Sequence, residues 1–78
     1  MKLHLESIDV QLAGTAPTAV CWRGGVYPVQ QVIDTWWSAG PWWEDSEERT
    51  YLLIETTSGV MEIFRSSTRG WMLARTFE

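Results

Sequence analysis

From Thr50 onward the chain reads TYLLIETT, SG, VMEIFRS, STRG and WMLARTFE, and this alternation of apolar and polar residues between turn signals constrains the fold more than any other feature. Residues two apart on a strand share a face. Leu52 and Ile54, Met61 and Ile63, and Trp71 and Leu73 are therefore expected to line one core. Both links contain a glycine, Gly59 and Gly70, as tight turns that need positive φ require. Three antiparallel strands account for this half.

Upstream, Leu3, Leu5, Ile8, Val10 and Leu12 alternate with polar residues, with a slip of phase at Glu6-Ser7. That pattern reads as one opening strand carrying a bulge. AGTAPT, 13–18, is a loop by composition, and AVCW, RGG and VYPV read as two strands around a hairpin link. Tyr27 to Trp37 supports two readings. Val29, Val32, Ile33, Trp36 and Trp37 recur at helical spacing. The β-branched and aromatic content, and the lack of an N-cap residue at Tyr27, favour a strand bulged near Gln30-Gln31. The expected architecture is all-β: one domain over 1–78, an antiparallel meander of five or six strands, closed or partly closed as a small SH3-like barrel. Its alternative is an α+β fold with one helix at 28–39.

A domain of 78 residues buries roughly 60 to 65% of the surface its unfolded chain exposes, so burial per residue must be high. The one cysteine, Cys21, has no internal disulfide partner, and an inert buried thiol in a cytoplasmic protein is expected. The opening residues show no signal-peptide pattern, and no apolar run is long enough for a membrane span. With ten acidic and six basic residues the net charge is −4, a field that opposes nucleic acid and anionic lipid.

Catalytic chemistry is not signalled. His4 is the sole histidine, without partners spaced for a metal, and a surface or strand-edge role is expected of it. Glu44, Asp45, Glu47 and Glu48 match no calcium-loop spacing. Neither a phosphate-binding glycine loop nor a nucleophile motif is present. A non-enzymatic protein without metal or cofactor is the expectation.

What remains is aromatic. Four of six tryptophans lie in TWWSAGPWWEDSEER, residues 35–49. Neighbours on a strand face opposite ways, so Trp36 and Trp37 cannot enter one core, and the same holds for Trp42 and Trp43 if extended. One of each pair is expected outward, where exposed apolar surface marks interaction sites. The candidate binding residues are Trp37, Trp42, Trp43 and Arg49. A structural role is the competing expectation, with the outward rings stacked on each other or beneath Arg23, Arg49 or Arg75. The WW pair also invites comparison with SH3 modules, but EDSEERTYLLIE stands where their proline-binding residues should follow.

The succession CWRGGVYPVQQVIDTW, WW, ERTYLLIETTSGVMEIFR and RGWMLARTFE resembles a tryptophan-rich bacterial domain of unknown function. More distantly it is similar to the C-terminal tail of mutasome-associated, inactive Y-family polymerase-like proteins. The resemblance covers residues 19–78 and rests on Trp22-Arg23-Gly24, Tyr27 with Val29, Trp36, Trp42-Trp43, Arg49 before Tyr51, and Gly70-Trp71 with Leu73. It implies a small non-catalytic β domain linked to bacterial DNA repair or translesion synthesis through protein contact. Trp37 departs from the pattern, which has a basic residue there. A protein partner is thus the leading expectation. Single-stranded nucleic acid stacked on the tryptophans is the rival, and a homodimer that buries them is a third reading.

Overall fold

The structure, a computed structural model, describes residues 2–39 and 48–77. It is all-β, with β1 (Lys2–Ser7), β2 (Asp9–Ala13), β3 (Ala16–Trp22), β4 (Gly25–Ala39), β5 (Glu48–Thr56), β6 (Gly59–Ser66) and β7 (Gly70–Phe77). All pairings are antiparallel, in the order β1-β7-β6-β5-β4-β3-β2. The sheet curls into a half-barrel, because its two outermost strands are successive in the chain.

Seven strands replace the expected five or six. The segment read as one strand over residues 3–12 is divided at Ile8, which is buried and donates its N–H to the Trp71 carbonyl at 3.2 Å. There the chain leaves the β7 edge and begins β2 beside β3. The bulge itself lies earlier, between Leu3 and Glu6, with Leu5 at φ 56°. The loop expected at 13–18 contracts to a turn at Gly14-Thr15, since Ala13 already pairs with Ala16 and Pro17 with Leu12.

No helix forms at 28–39; β4 runs unbroken through it. The helix-like spacing has a strand explanation. Val29 pairs with Thr56, Val32 with Ile54, Thr35 with Leu52 and Trp37 with Thr50. Bulges between Val29 and Gln31, and between Val32 and Asp34, each insert one residue. Positions on one face therefore recur at intervals of three, three and two, and the first two mimic a helical period.

One face holds the main core. Ile8, Val20, Ile54, Met61, Ile63 and Leu73 are buried there, with Val10, Trp22, Tyr27, Val29, Leu52 and Trp71 packed against them. All six residues assigned inward from the C-terminal alternation are in this cluster. The opposite face carries a second cluster of Phe64, Met72 and Ala74, flanked by Tyr51. The turns are set by local chemistry. Thr56 Oγ1 accepts the Ser58 N–H (3.1 Å) and donates to the Gly59 carbonyl (2.8 Å). Ser66 Oγ accepts the N–H groups of Thr68 and Arg69 at 3.1 and 3.0 Å, and Gly70 closes that turn at φ 75°.

Candidate functional site

β4 and β5 present two faces of different character. On the outer face, register aligns Trp36, Tyr51, Phe64 and Met72 across four strands. Trp36 and Tyr51 stack with planes 2° apart and centroids 5.3 Å apart, and Tyr51 meets Phe64 at 5.2 Å. Arg49 lies 4.6 Å over the Phe64 ring and donates from Nη1 to Tyr51 Oη at 3.2 Å. The row continues to Ser7, whose hydroxyl reaches Met72 Sδ at 3.6 Å. Cross-strand aromatic pairs of this kind stabilise a sheet by fractions of a kcal/mol each, about 0.2–1. Phe64 is 0% exposed, so the row is a packed layer.

The inner-face row one residue on runs Trp37, Thr50, Arg65, Trp71. Trp71 joins the core, whereas Trp37 is 63% exposed, beyond the end of that core. A shallow groove of about 240 Å³ is bounded by Trp37, Glu48, Thr50, Arg65, Ser66 and Ser67. Its floor is fixed where β5 meets the β6–β7 turn: Ser67 N–H donates to the Glu48 carbonyl (2.9 Å), and Glu48 N–H donates to Ser67 Oγ (3.1 Å).

Trp36 and Trp37 thus face opposite ways, as alternation requires. Alternation also separates Trp37 from Arg49, which sits on the outer face beside Tyr51. The cation sharing Trp37's groove is Arg65, which was not among the candidate residues. Its signal was present: it lies two residues past Ile63, on the same side of β6. Trp42 and Trp43, with Glu44, Asp45 and Glu47, lie outside the described residues. Among the described residues no group of His, Cys, Asp and Glu comes together to hold a metal ion. No helix there is long and apolar enough to cross a membrane.

A second cluster, which sequence reasoning missed, surrounds Trp22. His4 lies on an edge strand, β1, which fits the strand-edge half of its expected role, but its side chain is turned in and only 10% exposed. Alternation from Lys2, which pairs with buried Thr76, turns His4 in, while Leu5 beside it is 52% exposed. His4 Nε2 lies 3.2 Å from Thr76 Oγ1, its Nδ1 lies 3.2 Å from Glu6 Oε2, and its ring meets Trp22 edge-on at 4.9 Å. Arg23 forks onto both Glu6 oxygens at 3.2 and 2.8 Å, and its guanidinium lies 4.7 Å from the Trp22 centroid. The Arg23 hydrogen bonds hold the Glu6 carboxyl below the ordinary glutamate range, aided by charge attraction to Arg23 and opposed by desolvation. A cavity of about 290 Å³ is bounded by His4, Trp22, Tyr27, Val60, Thr76 and Phe77.

The geometry of this cluster begins in the β3–β4 turn. Trp22 pairs with Gly25, leaving two residues, Arg23 at φ 50° and Gly24 at φ 77°. Two successive left-handed residues suit the twist of a hairpin. An arginine there is costly, and its contacts with Trp22 and Glu6 offset that cost. Cys21, next to Trp22, is a half-buried free thiol.

No curated protein and no solved structure matches the chain. A family model described as a domain of unknown function, DUF6504, matches residues 5–78, and because that span is nearly the whole sequence, the chain belongs to the DUF6504 family.

Proposed function

We propose that this domain is a non-catalytic interaction module, cytoplasmic and without cofactor, that contacts a protein partner through the Trp37 groove. The observation that carries the reading is the exposed indole of Trp37, set on a strand paired to β5 above a bounded groove. A large aromatic side chain held in place at low entropy cost is what binding hot spots are made of. We take the partner to belong to bacterial DNA repair or translesion synthesis, a reading supported only by the resemblance of CWRGGVYPVQQVIDTW and RGWMLARTFE to the tails of inactive polymerase-like proteins. We further read the curled sheet as a small SH3-like barrel, a reading supported by the Ile8–Trp71 hydrogen bond. Capture of partners from a cell extract tests the reading: Trp37→Ala should lose the specific partner, and an unchanged set of captured proteins would remove the groove from consideration.

The second reading is a single-stranded nucleic-acid platform. It is favoured by Arg65, which places a cation in the same groove as the indole, the pairing needed for a phosphate beside a stacked base. The net charge of −4 opposes it. Short oligonucleotides should quench Trp37 fluorescence at low salt and release it as salt rises if this reading holds.

A further inference from the structure

β4 is unusual in being shared. Residues Gly25 to Pro28 pair with β3, whereas Val29 to Ala39 pair with β5 alone. Among the described residues nothing pairs with the other edge of this second stretch, and residues 30–38 are exposed. Exposed sheet edges present unpaired N–H and C=O groups that template another strand. The Thr35 N–H shows the direction: it donates to the Asp34 carboxylate at 2.8 Å instead of to β5. Alternation sets the backbone groups of Trp37 on the same open edge.

Resting on the interaction reading above, we infer that the open edge of β4 accepts an extended partner strand with alternating basic and apolar residues. The alternation follows from the two faces of the edge. Val32, Thr35 and Trp37 share the inner face, as their pairing with Ile54, Leu52 and Thr50 shows. A strand laid alongside would meet exposed Val32 and Trp37 with its apolar residues. The outer face carries Asp34 at the open edge; one strand away lie Glu55, whose carboxylate accepts from Gln31 Nε2 at 3.0 Å, and Arg49, opposite Ser38 and engaged with Tyr51 and Phe64. β4 itself holds no Lys, Arg or His, and Asp34 is its one acidic residue. Opposite-charge cross-strand pairs stabilise a sheet, and like charges destabilise it.

The same argument disfavours a second copy of this chain. A two-fold antiparallel pair over 34–39 would set Asp34 opposite Ala39 and bring no cation to it, because β4 holds no basic residue. Asp34 acts instead as a guard: it caps the Thr35 N–H while the edge is empty and offers its charge to a lysine or arginine when a strand arrives. The two bulges leave room for this, because they interrupt regular pairing at residues 29–34 and leave 34–39 as an uninterrupted template.

The probes are two end-capped heptapeptides of alternating valine and lysine, or valine and glutamate, and the readout is amide hydrogen exchange along β4. The valine–lysine peptide should slow exchange at Thr35 and Trp37 at least tenfold, and the valine–glutamate peptide should not. Asp34→Lys should reverse the preference. Equal protection of wild type and Asp34→Lys by the valine–lysine peptide, or protection by neither peptide, would overturn the proposal. So would protection that rises with protein concentration alone, which assigns the edge to a second copy. If the edge fails while Trp37→Ala still loses its partner from extract, the interaction reading stands without it. If the preference reverses while extract binding ignores Trp37, the edge stands and the groove falls.

Discussion

At one end of the sheet Arg23 lies 4.7 Å from the Trp22 ring centre and grips Glu6 with two nitrogens. At the other, Arg49 lies 4.6 Å from the Phe64 ring centre and donates to Tyr51. The two arrangements use the same cation-on-ring contact to different ends. Around Trp22 the cation is part of a polar circuit that runs through Glu6 and His4 to Thr76, and Trp22 meets the rings of both His4 and Tyr27. Around Phe64 the cation and Tyr51 complete a packed outer layer that ends at Trp36, and the next residue along, Trp37, is left uncovered. The difference teaches that tryptophan number alone does not locate a surface. The face a ring occupies, and the partners register gives it, decide whether it builds or binds.

The sharpest way to break the comparison is to remove the ring under Arg49. Phe64→Ala should cost about 3–5 kcal/mol in urea melting, the usual loss for a fully buried aromatic. A cost under about 1 kcal/mol would demote the outer row to surface decoration. Trp22→Ala should follow at about 2–4 kcal/mol, reduced because the indole is half-buried. If it cost no more than Trp37→Ala, the two ends would be alike.

Next in size is Gly24→Ala, at about 1 kcal/mol. Its left-handed φ penalises a side chain, although space around it is open. Smaller again is the acid dependence of the Glu6 circuit. Because the folded-state pKa of Glu6 is lowered, its contribution is fully present above the ordinary glutamate range and is lost as pH falls through the folded value. Melts of wild type and Glu6→Gln should therefore differ by a constant amount near neutrality and converge in acid. A gap that persisted at the lowest pH would exclude the Glu6 charge as its source. Smallest is Trp37→Ala, expected within about 0.5 kcal/mol of wild type; a larger loss would turn Trp37 from a binding surface into part of the fold.

The strands most legible in the sequence were β5, β6 and β7, where the pairs Leu52–Ile54, Met61–Ile63 and Trp71–Leu73 and the glycine turns left one reading, although the β6–β7 register shifts between Glu62 and Ile63. Irregular strands were harder for a stated reason: a bulge changes which residues share a face without changing composition. In β1 hydrophobicity alone misassigns the faces: Leu5 is exposed, and His4 faces Trp22. In β4 two bulges imitated a helix. The candidate site was half legible. Opposite orientation of Trp36 and Trp37 needed only alternation, whereas the placing of Arg65 beside Trp37, and of Arg49 away from it, depended on a cross-strand register that the sequence does not state.

The position of β1 has a consequence for how the domain is made. Its partner is β7, with Lys2 set against Thr76, so β1 must wait for a strand that follows all the others in chain order. The β5–β6–β7 meander can zip through short turns, but joining β1 to it closes nearly the entire chain into a loop. Such long-range closure is slow relative to hairpin formation. During that interval β7 is an unprotected edge, open to pairing with the wrong strand.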